Sequence, residues 1–303
     1  MNSNPEGISQ QAQDNGSIPL IVVVGPTATG KTALALDLAG VFGGEIICAD
    51  SRTIYRGMDV GTAKPTQEEQ AHVPHHLIDI ANPDETFSAA EFKARAINVM
   101  KDIYSRNQIP IMVGGTGLYI NSVIFDYTFG DKADQSRRAE LTKMTVEQLQ
   151  REISRNGLAI PENRQNKRYL IRTLERNGNE PNDRKKMRAN TIVIGVNAPR
   201  DILEIRIRKR VKMMIDSGFI TEVKQLLEKY DPSVPGLNAP GYKAFVPYVE
   251  NRVSLEEATN QFVANDLRLA KRQLTWFKRN KSIHWINDRS EAVDIVTTFL
   301  NNL

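Results

Sequence analysis

An α/β fold is predicted, with a parallel sheet at its core and an inserted all-helical subdomain. Three observations predict it. Short apolar runs alternate with helical stretches over the first 125 residues. The first of these runs feeds a glycine-rich loop that opens a helix. The texture then turns helical and charged from 126 to 190, before another apolar run resumes at 191.

Leu20–Val24 (LIVVV) is apolar, rich in β-branched residues and bounded by Pro19 and Gly25, the pattern of a strand buried on both faces. A helix follows from Lys31 and is expected to stop near Gly40. Glu45–Ala49 reads as a second strand leading to Asp50-Ser51. The capping box Ser88-x-x-Glu91 opens a helix carrying Phe92, Ile97, Val99, Ile103 and Tyr104. Pro110 breaks it, and Ile111–Val113 is a strand running into Gly114-Gly115-Thr116-Gly117.

Between 126 and 190 strand signal is sparse, and Thr145–Arg155 and Asn166–Glu175 read as helices, the second ending at Asn177-Gly178. Thr191–Val196 is a buried strand expected to rejoin the first sheet. Two long helices follow, Asp201–Tyr230 and Ser254–Asn280, the latter opened by the capping box Ser254-x-x-Glu257. The loop Asp231–Gly241, with three prolines, separates them. The organisation expected is a disordered tail over 1–19, a core from 20–125 and 191–303, and a helical insertion over 126–190.

With 40% hydrophobic and 25% charged residues, the 303-residue chain falls among globular proteins rather than disordered or membrane ones. No apolar run approaches the roughly eighteen residues of a membrane span. The first nineteen residues lack the basic start and apolar middle of a signal peptide. Cys48 is the only cysteine and is flanked by apolar residues, which excludes a disulfide framework, predicts a buried, inert thiol and points to the cytoplasm. His72, His75 and His76 lie in a proline-containing loop segment without a second ligand cluster, so a structural or surface role is expected. The net charge of +4 divides unevenly: residues 1–130 balance at −6, residues 131–303 at +10. The basic part suits a polyanion, or is a solvated charged face.

Gly25, Pro26, Thr27, Ala28, Thr29, Gly30, Lys31 and Thr32 fit G-x-x-x-x-G-K-[ST] between a strand and a helix, the context that marks a P-loop. Small residues let several backbone N–H groups and the helix N-terminus point at a phosphate. Lys31 adds a cation, and the Thr32 hydroxyl is a candidate magnesium ligand. Asp50 ends the second strand, on the sheet edge where ligands gather, and position leaves open a metal ligand, a general base or a helix cap. Thr116 follows another buried strand at that edge, as a ligand-facing residue or an ordinary turn threonine. Arg206 and Arg210 share a helix face, as a phosphate clamp or as solvated charge among Arg208, Lys209 and Lys212.

In the last helix Val263, Leu267, Ala270, Leu274 and Phe277 form an apolar stripe facing the core. Arg268, Arg272, Arg279 and Thr275 lie opposite, with Trp276 at their edge and Lys271 and Lys278 flanking the stripe. A basic strip beside an aromatic ring suits a nucleic-acid backbone and an unstacked base, or is solvated surface.

Several segments are carried together and in order: GPTATGKT at 25–32, ADSRTIYRGMDVGTAKP at 49–65, HHLIDI at 75–80, FSAAEF at 87–92, IPIMVGGTGLY at 109–119, LIRTLE at 170–175, GYK at 241–243 and AKRQLTWFK at 270–278. The chain resembles, from Val22 to about Trp285, the bacterial tRNA dimethylallyltransferases, also called tRNA isopentenyl transferases. The resemblance implies transfer of a dimethylallyl group from dimethylallyl pyrophosphate to N6 of the adenosine 3′ of the anticodon, with Mg2+ as cofactor. It implies that Asp50 is the general base, Thr116 holds the reacting region in register, and Arg210 rather than Arg206 clamps the pyrophosphate with Lys31, Thr32 and Mg2+. It further implies tRNA contacts by Asp50, Ser51, Arg52, Thr53, Thr116, Arg168, Arg172, the loop Ser233–Asn238, Lys271, Arg272, Gln273, Trp276 and Lys278. Arg52, Tyr169 and Asn238-Ala239-Pro240 depart from the commoner family residues. The partners expected are the tRNA anticodon stem-loop and dimethylallyl pyrophosphate, with no membrane and a monomeric state. The alternatives are a small-molecule P-loop kinase, which would leave the basic helix idle, an isopentenyl transferase acting on free adenine nucleotides, and a non-catalytic RNA-binding protein.

Overall fold

The structure is a computed structural model that describes residues 18–129, 134–177 and 186–303. The chain divides into two compact units, one taking in the chain up to Ile124 and again from Met187, the other Phe125–Lys186.

In the first unit the chain runs β1 (Leu20–Val24), α1 (Lys31–Phe42), β2 (Gly44–Cys48), α2 (Gln67–His72), β3 (His75–His76), α3 (Ala89–Ser105), β4 (Ile109–Gly114) and α4 (Gly117–Ile124). The second unit holds α5 (Gln135–Lys143), α6 (Val146–Arg155) and α7 (Lys167–Glu175). Back in the first unit come β5 (Thr191–Val196), α8 (Arg200–Asp216), α9 (Phe219–Leu227), a 3-10 turn (Gly236–Asn238), α10 (Pro240–Val249), α11 (Leu255–Phe277), β6 (Ile283–Ile286) and α12 (Arg289–Asn301).

The six strands form one parallel sheet in the order β3-β2-β4-β1-β5-β6. β1 lies inside it, with Val22 opposite Met112 of β4 and Val193 of β5. Every residue of β1 is buried, as its uninterrupted apolar run requires of a strand covered on both faces. One core cluster joins Leu34, Leu38 and Val296 to the sheet residues Ile21, Val23 and Ile194. A second gathers Ile207, Phe219, Tyr242, Phe245 and Phe262 from the later helices. The second unit has its own cluster of Leu141, Leu149, Ile153, Leu170, Ile171 and Leu174. Of the expected tail, residues 1–17 lie outside the described residues, whereas Ile18 is buried and its carbonyl accepts from Arg188 Nη2 at 2.9 Å.

The expected strands at 20–24 and 191–196 have those bounds, and β5 does pair with β1. Five local readings are corrected. The helix expected over Asp201–Tyr230 is two helices, because Gly218 at φ 95 takes the left-handed conformation and breaks the ladder between α8 and α9. The Asp231–Gly241 loop gives way to α10, with Pro240 in its first turn, where a missing N–H costs nothing. Pro110 lies inside β4 and does not break the preceding helix, which ends at Ser105. Pairing of β4 with β1 begins only at Ile111, so Pro110 faces β2 alone. His75 and His76 form β3 rather than a loop, and α1 runs past Gly40 to a left-handed cap at Gly43.

Candidate active site

The carboxyl ends of β1, β2 and β4 carry Gly25, Asp50 and Gly115 into one sheet edge, the place where parallel sheets gather ligands. The loop from Gly25 approaches β5 so closely that a Cβ on Gly25 would meet the Val196 carbonyl oxygen at 2.3 Å. Thr29 Oγ1 donates to Pro26 O at 2.9 Å, and Lys31 Nζ to the same oxygen at 3.3 Å. Gly30, at φ 89, turns the chain into α1, whose first residues are Lys31 and Thr32. A helix N-terminus with a lysine beside it can take an anion.

A cavity of about 200 Å³ opens on this edge, and Lys31, Thr32, Asp50 and Arg210 all line it. Thr27, Ala28 and Gly30 also line it, and Cys48, Ala63, Pro65 and Val113 make part of its lining apolar. Burial lowers the Lys31 ammonium to about 8, Asp50 opposing that shift and Arg210 adding to it. Burial pushes the Cys48 thiol up to about 12, so the expected inert cysteine is a wall of the site.

Asp50 Oδ1 accepts the Arg52 N–H at 2.8 Å, so this carboxylate caps its own turn while lining the cavity. Thr116 ties the neighbouring loop to it: its Oγ1 accepts the Ser51 N–H at 3.0 Å and its N–H donates to Ala49 O at 3.2 Å. Thr53 also lines the cavity, and Arg52 Nη1 reaches Pro235 O at 3.4 Å.

Arg210 is paired with Asp266 of α11, whose carboxylate is almost wholly buried. Burial raises the Asp266 carboxyl above its ordinary range, and Arg210 partly opposes this. Arg210 Nε is buried with no acceptor among the described residues. Arg206, set aside in favour of Arg210, reaches the rim of the loop, its Nη1 lying 3.5 Å from Ala28 O.

Of the residues expected on α11, Lys271, Arg272, Lys278 and Arg279 are exposed. Gln273 is turned inward and joins two loops: its Oε1 accepts the Thr27 N–H at 2.9 Å, and its Nε2 donates to Gly115 O at 3.1 Å. Trp276 lies against Gly117, where a Cβ would meet the indole at 2.2 Å, and Arg279 stands 5.9 Å from its ring centroid. Arg168 and Arg172 are on α7 of the second unit. There Arg172 is half-buried, its charge disfavoured by burial and by Arg176, Arg168 and Arg138.

Sequence reasoning missed Asp266 and Glu222. Asp266 had a signal: it lies three residues after Val263 and four before Ala270, an acid on the apolar stripe. Glu222 had none, because the three backbone amides it holds are 161 to 163 residues away.

The model of the IPP transferase family matches residues 53–280, which begins after the Gly25–Thr32 loop. A tRNA dimethylallyltransferase of Macrococcus caseolyticus (strain JCSC5402) is 43% identical over 294 residues, spanning 92% of this chain and 94% of that protein. The solved structure of a full-length tRNA isopentenylpyrophosphate transferase from Bacillus halodurans is 37% identical, with a TM-score of 0.71, covering 94% of this chain and 96% of that one. A eukaryotic dimethylallyltransferase acting on tRNA, 22% identical, shares the fold with a TM-score of 0.82 over 94% of this chain and 80% of its own. On the strength of the family match and of these alignments over nearly its whole length, the chain belongs to the IPP transferase family.

Proposed function

We propose that this protein transfers a dimethylallyl group from dimethylallyl pyrophosphate to N6 of the adenosine 3′ of the anticodon in tRNA, releasing pyrophosphate. Its family makes it a transferase. The observation that supports this reaction best is the meeting of Lys31, Thr32, Arg210 and Asp50 in one partly apolar cavity.

The pyrophosphate lies along the Gly25–Thr32 amides, with Lys31 and Arg210 as its cationic partners. Arg210 Nε, buried without an acceptor among the described residues, is satisfied by a phosphate oxygen. The dimethylallyl group lies against Ala63, Pro65, Cys48 and Val113. The N6 lone pair forms a bond to C1 of the allylic group as the C1–O bond breaks, and that bonding pair leaves with the pyrophosphate. Asp50 accepts the proton that the amine loses, which an aromatic amine, a weak nucleophile, needs. To enter, the adenine leaves the anticodon-loop stack. Arg52, Thr53 and Thr116 then border it, while Lys271, Arg272 and Lys278 meet the RNA backbone and Arg168 and Arg172 contact the tRNA from the second unit.

Magnesium fits this donor set. Among the described residues there is no cluster of three or more His, Cys, Asp or Glu side chains able to hold a metal. Magnesium characteristically uses few protein oxygens together with substrate phosphates, and Thr32 is the residue that would hold it. When bound, it supplies neutralisation of the charge building on the departing pyrophosphate. No described helix is long and apolar enough to cross a membrane. The reading places the protein in the cytoplasm as a monomer.

Incubation with tRNA and either ATP or dimethylallyl pyrophosphate tests this reading. Prenylated RNA and released pyrophosphate, with no phosphoryl transfer from ATP, is the expected result. Phosphoryl transfer without prenylation would assign the cavity to a kinase.

A further inference from the structure

The cavity wall at Thr62, Ala63 and Pro65 belongs to no helix or strand, yet it is held in place by an unusual anchor. Three consecutive backbone amides converge on the carboxylate of Glu222, in the first turn of α9. Asp59 N–H donates to Oε2 at 2.7 Å, Val60 N–H to Oε2 at 2.8 Å and Gly61 N–H to Oε1 at 2.9 Å. The Tyr242 hydroxyl donates to Oε1 at 2.6 Å from α10. Such a concave run of amides is a backbone nest of the kind that binds anions, and here the protein's own carboxylate fills it. From the other side Lys64, its side chain 4% exposed, donates to Tyr55 O at 2.9 Å and pairs with Asp79 at 2.5 Å and with Asp59. Phe219 lies where a Cβ on Gly61 would be, 2.2 Å away, so the segment is also packed tightly.

A loop whose three consecutive amides are held by charge-assisted hydrogen bonds at one carboxylate keeps a fixed place in the lining of a cavity that Cys48 and Val113 also line. We propose that Glu222 is a positioning residue that sets the size of the prenyl pocket: by clamping the amides of Asp59, Val60 and Gly61 it holds Ala63 and Pro65 where a five-carbon allylic group fits and a longer chain does not. This rests on the prenyl-transfer reading above. Glu222 does not line the cavity itself, and its influence passes only through the segment it holds.

Glu222→Gln tests it, because an amide group presents donors to amides that are themselves donors. Four quantities are read: KM and kcat for dimethylallyl pyrophosphate and the ratio of kcat/KM between dimethylallyl and geranyl pyrophosphate, all with tRNA saturating, and KM for tRNA with dimethylallyl pyrophosphate saturating. The expected result is a rise of about tenfold in the first KM, with kcat and the tRNA KM within about twofold and the five-to-ten-carbon preference reduced. Amide hydrogen exchange at Asp59, Val60 and Gly61, which needs no activity, is expected to accelerate in the same variant. Tyr242→Phe, which leaves the three amide bonds intact, is expected to keep the chain-length preference. Where Glu222→Gln does not fold, Glu222→Asp carries the same test with a smaller change in the same direction. Unchanged KM and preference despite accelerated exchange would overturn the inference, as would a proportional loss of kcat and of both affinities. A wild-type protein that prenylates no RNA would instead overturn the functional reading, leaving the exchange result to stand.

Discussion

Asp266, 3% exposed on α11, pairs with Nη2 of Arg210 on α8, while Arg210 Nε is buried without an acceptor among the described residues. The pair fixes one edge of the guanidinium and leaves the cavity's main cation able to take an anion. It also explains why a carboxylate stands on a helix face that otherwise packs apolar groups such as Val263 and Ala270.

Asp266→Asn removes the buried counter-charge of Arg210. Stability to denaturant is expected to fall by about 1–3 kcal/mol. KM for dimethylallyl pyrophosphate is expected to rise, because Arg210 is no longer held in place. A change below about 0.5 kcal/mol would mean that the pair contributes no more than a surface ion pair does.

In the proposed reaction Lys31 would make the affinity for the pyrophosphate substrate depend on pH. Its ammonium form would bind the anion, and burial lowers its pKa to about 8. Below that value the lysine is charged and affinity is level; above it the free lysine is neutral and must regain a proton on binding. KM for dimethylallyl pyrophosphate is therefore expected to climb above about pH 8, approaching about tenfold per pH unit. A flat KM up to about pH 9.5 would place the Lys31 charge outside the binding step.

The exposed arginines of α11 are tested by salt. Replacing Arg272 and Arg279 together by alanine is expected to weaken tRNA binding and to reduce the slope of log K against log salt by about one for each phosphate no longer neutralised. Prenyl transfer should persist once tRNA saturates. Equal slopes for the variant and the parent would make this face solvated surface only.

Away from the site, Glu45 in β2 is held by Arg106 Nη2 at 3.0 Å and by His76 Nε2 at 2.7 Å. The hydrogen bond from Arg106, more than the one from His76, lowers its carboxyl below the ordinary value of 4.5. A depressed carboxyl stabilises the fold above the unfolded value, and that contribution is lost as pH falls through the folded one. Glu45→Gln is expected to be less stable at neutral pH and to draw nearer to the parent as pH falls below the ordinary value of 4.5. An undiminished difference in acid, measured by urea unfolding, would assign the loss to packing instead.

What the sequence revealed and what it hid follow from the range of the interactions. β1, β5 and the helices opened by Ser88 and Ser254 are set by neighbours a few residues away, so pattern and capping chemistry identify them. The Gly25–Thr32 loop is legible for the same reason. β3 has two residues and β6 four, of which only Ile283 and Ile286 are buried, too little pattern to read. α12 escapes the reading along with β6. Gly218 is visible, but one glycine in a helical pattern does not by itself announce a break. Gln273 reads as an RNA contact because its block matches a family motif; its bonds to Thr27 and Gly115 span 246 and 158 residues, beyond any local signal. Trp276 reads as a stacking platform, whereas Gly117 occupies part of its surface.

Prenyl transfer to tRNA is tested by mass spectrometry of an unmodified anticodon stem-loop after incubation with the protein, magnesium and dimethylallyl pyrophosphate. One added dimethylallyl group on the adenosine 3′ of the anticodon, lost when Asp50 is replaced by alanine, is the expected result. An RNA of unchanged mass, with free adenine nucleotide prenylated instead, would contradict it.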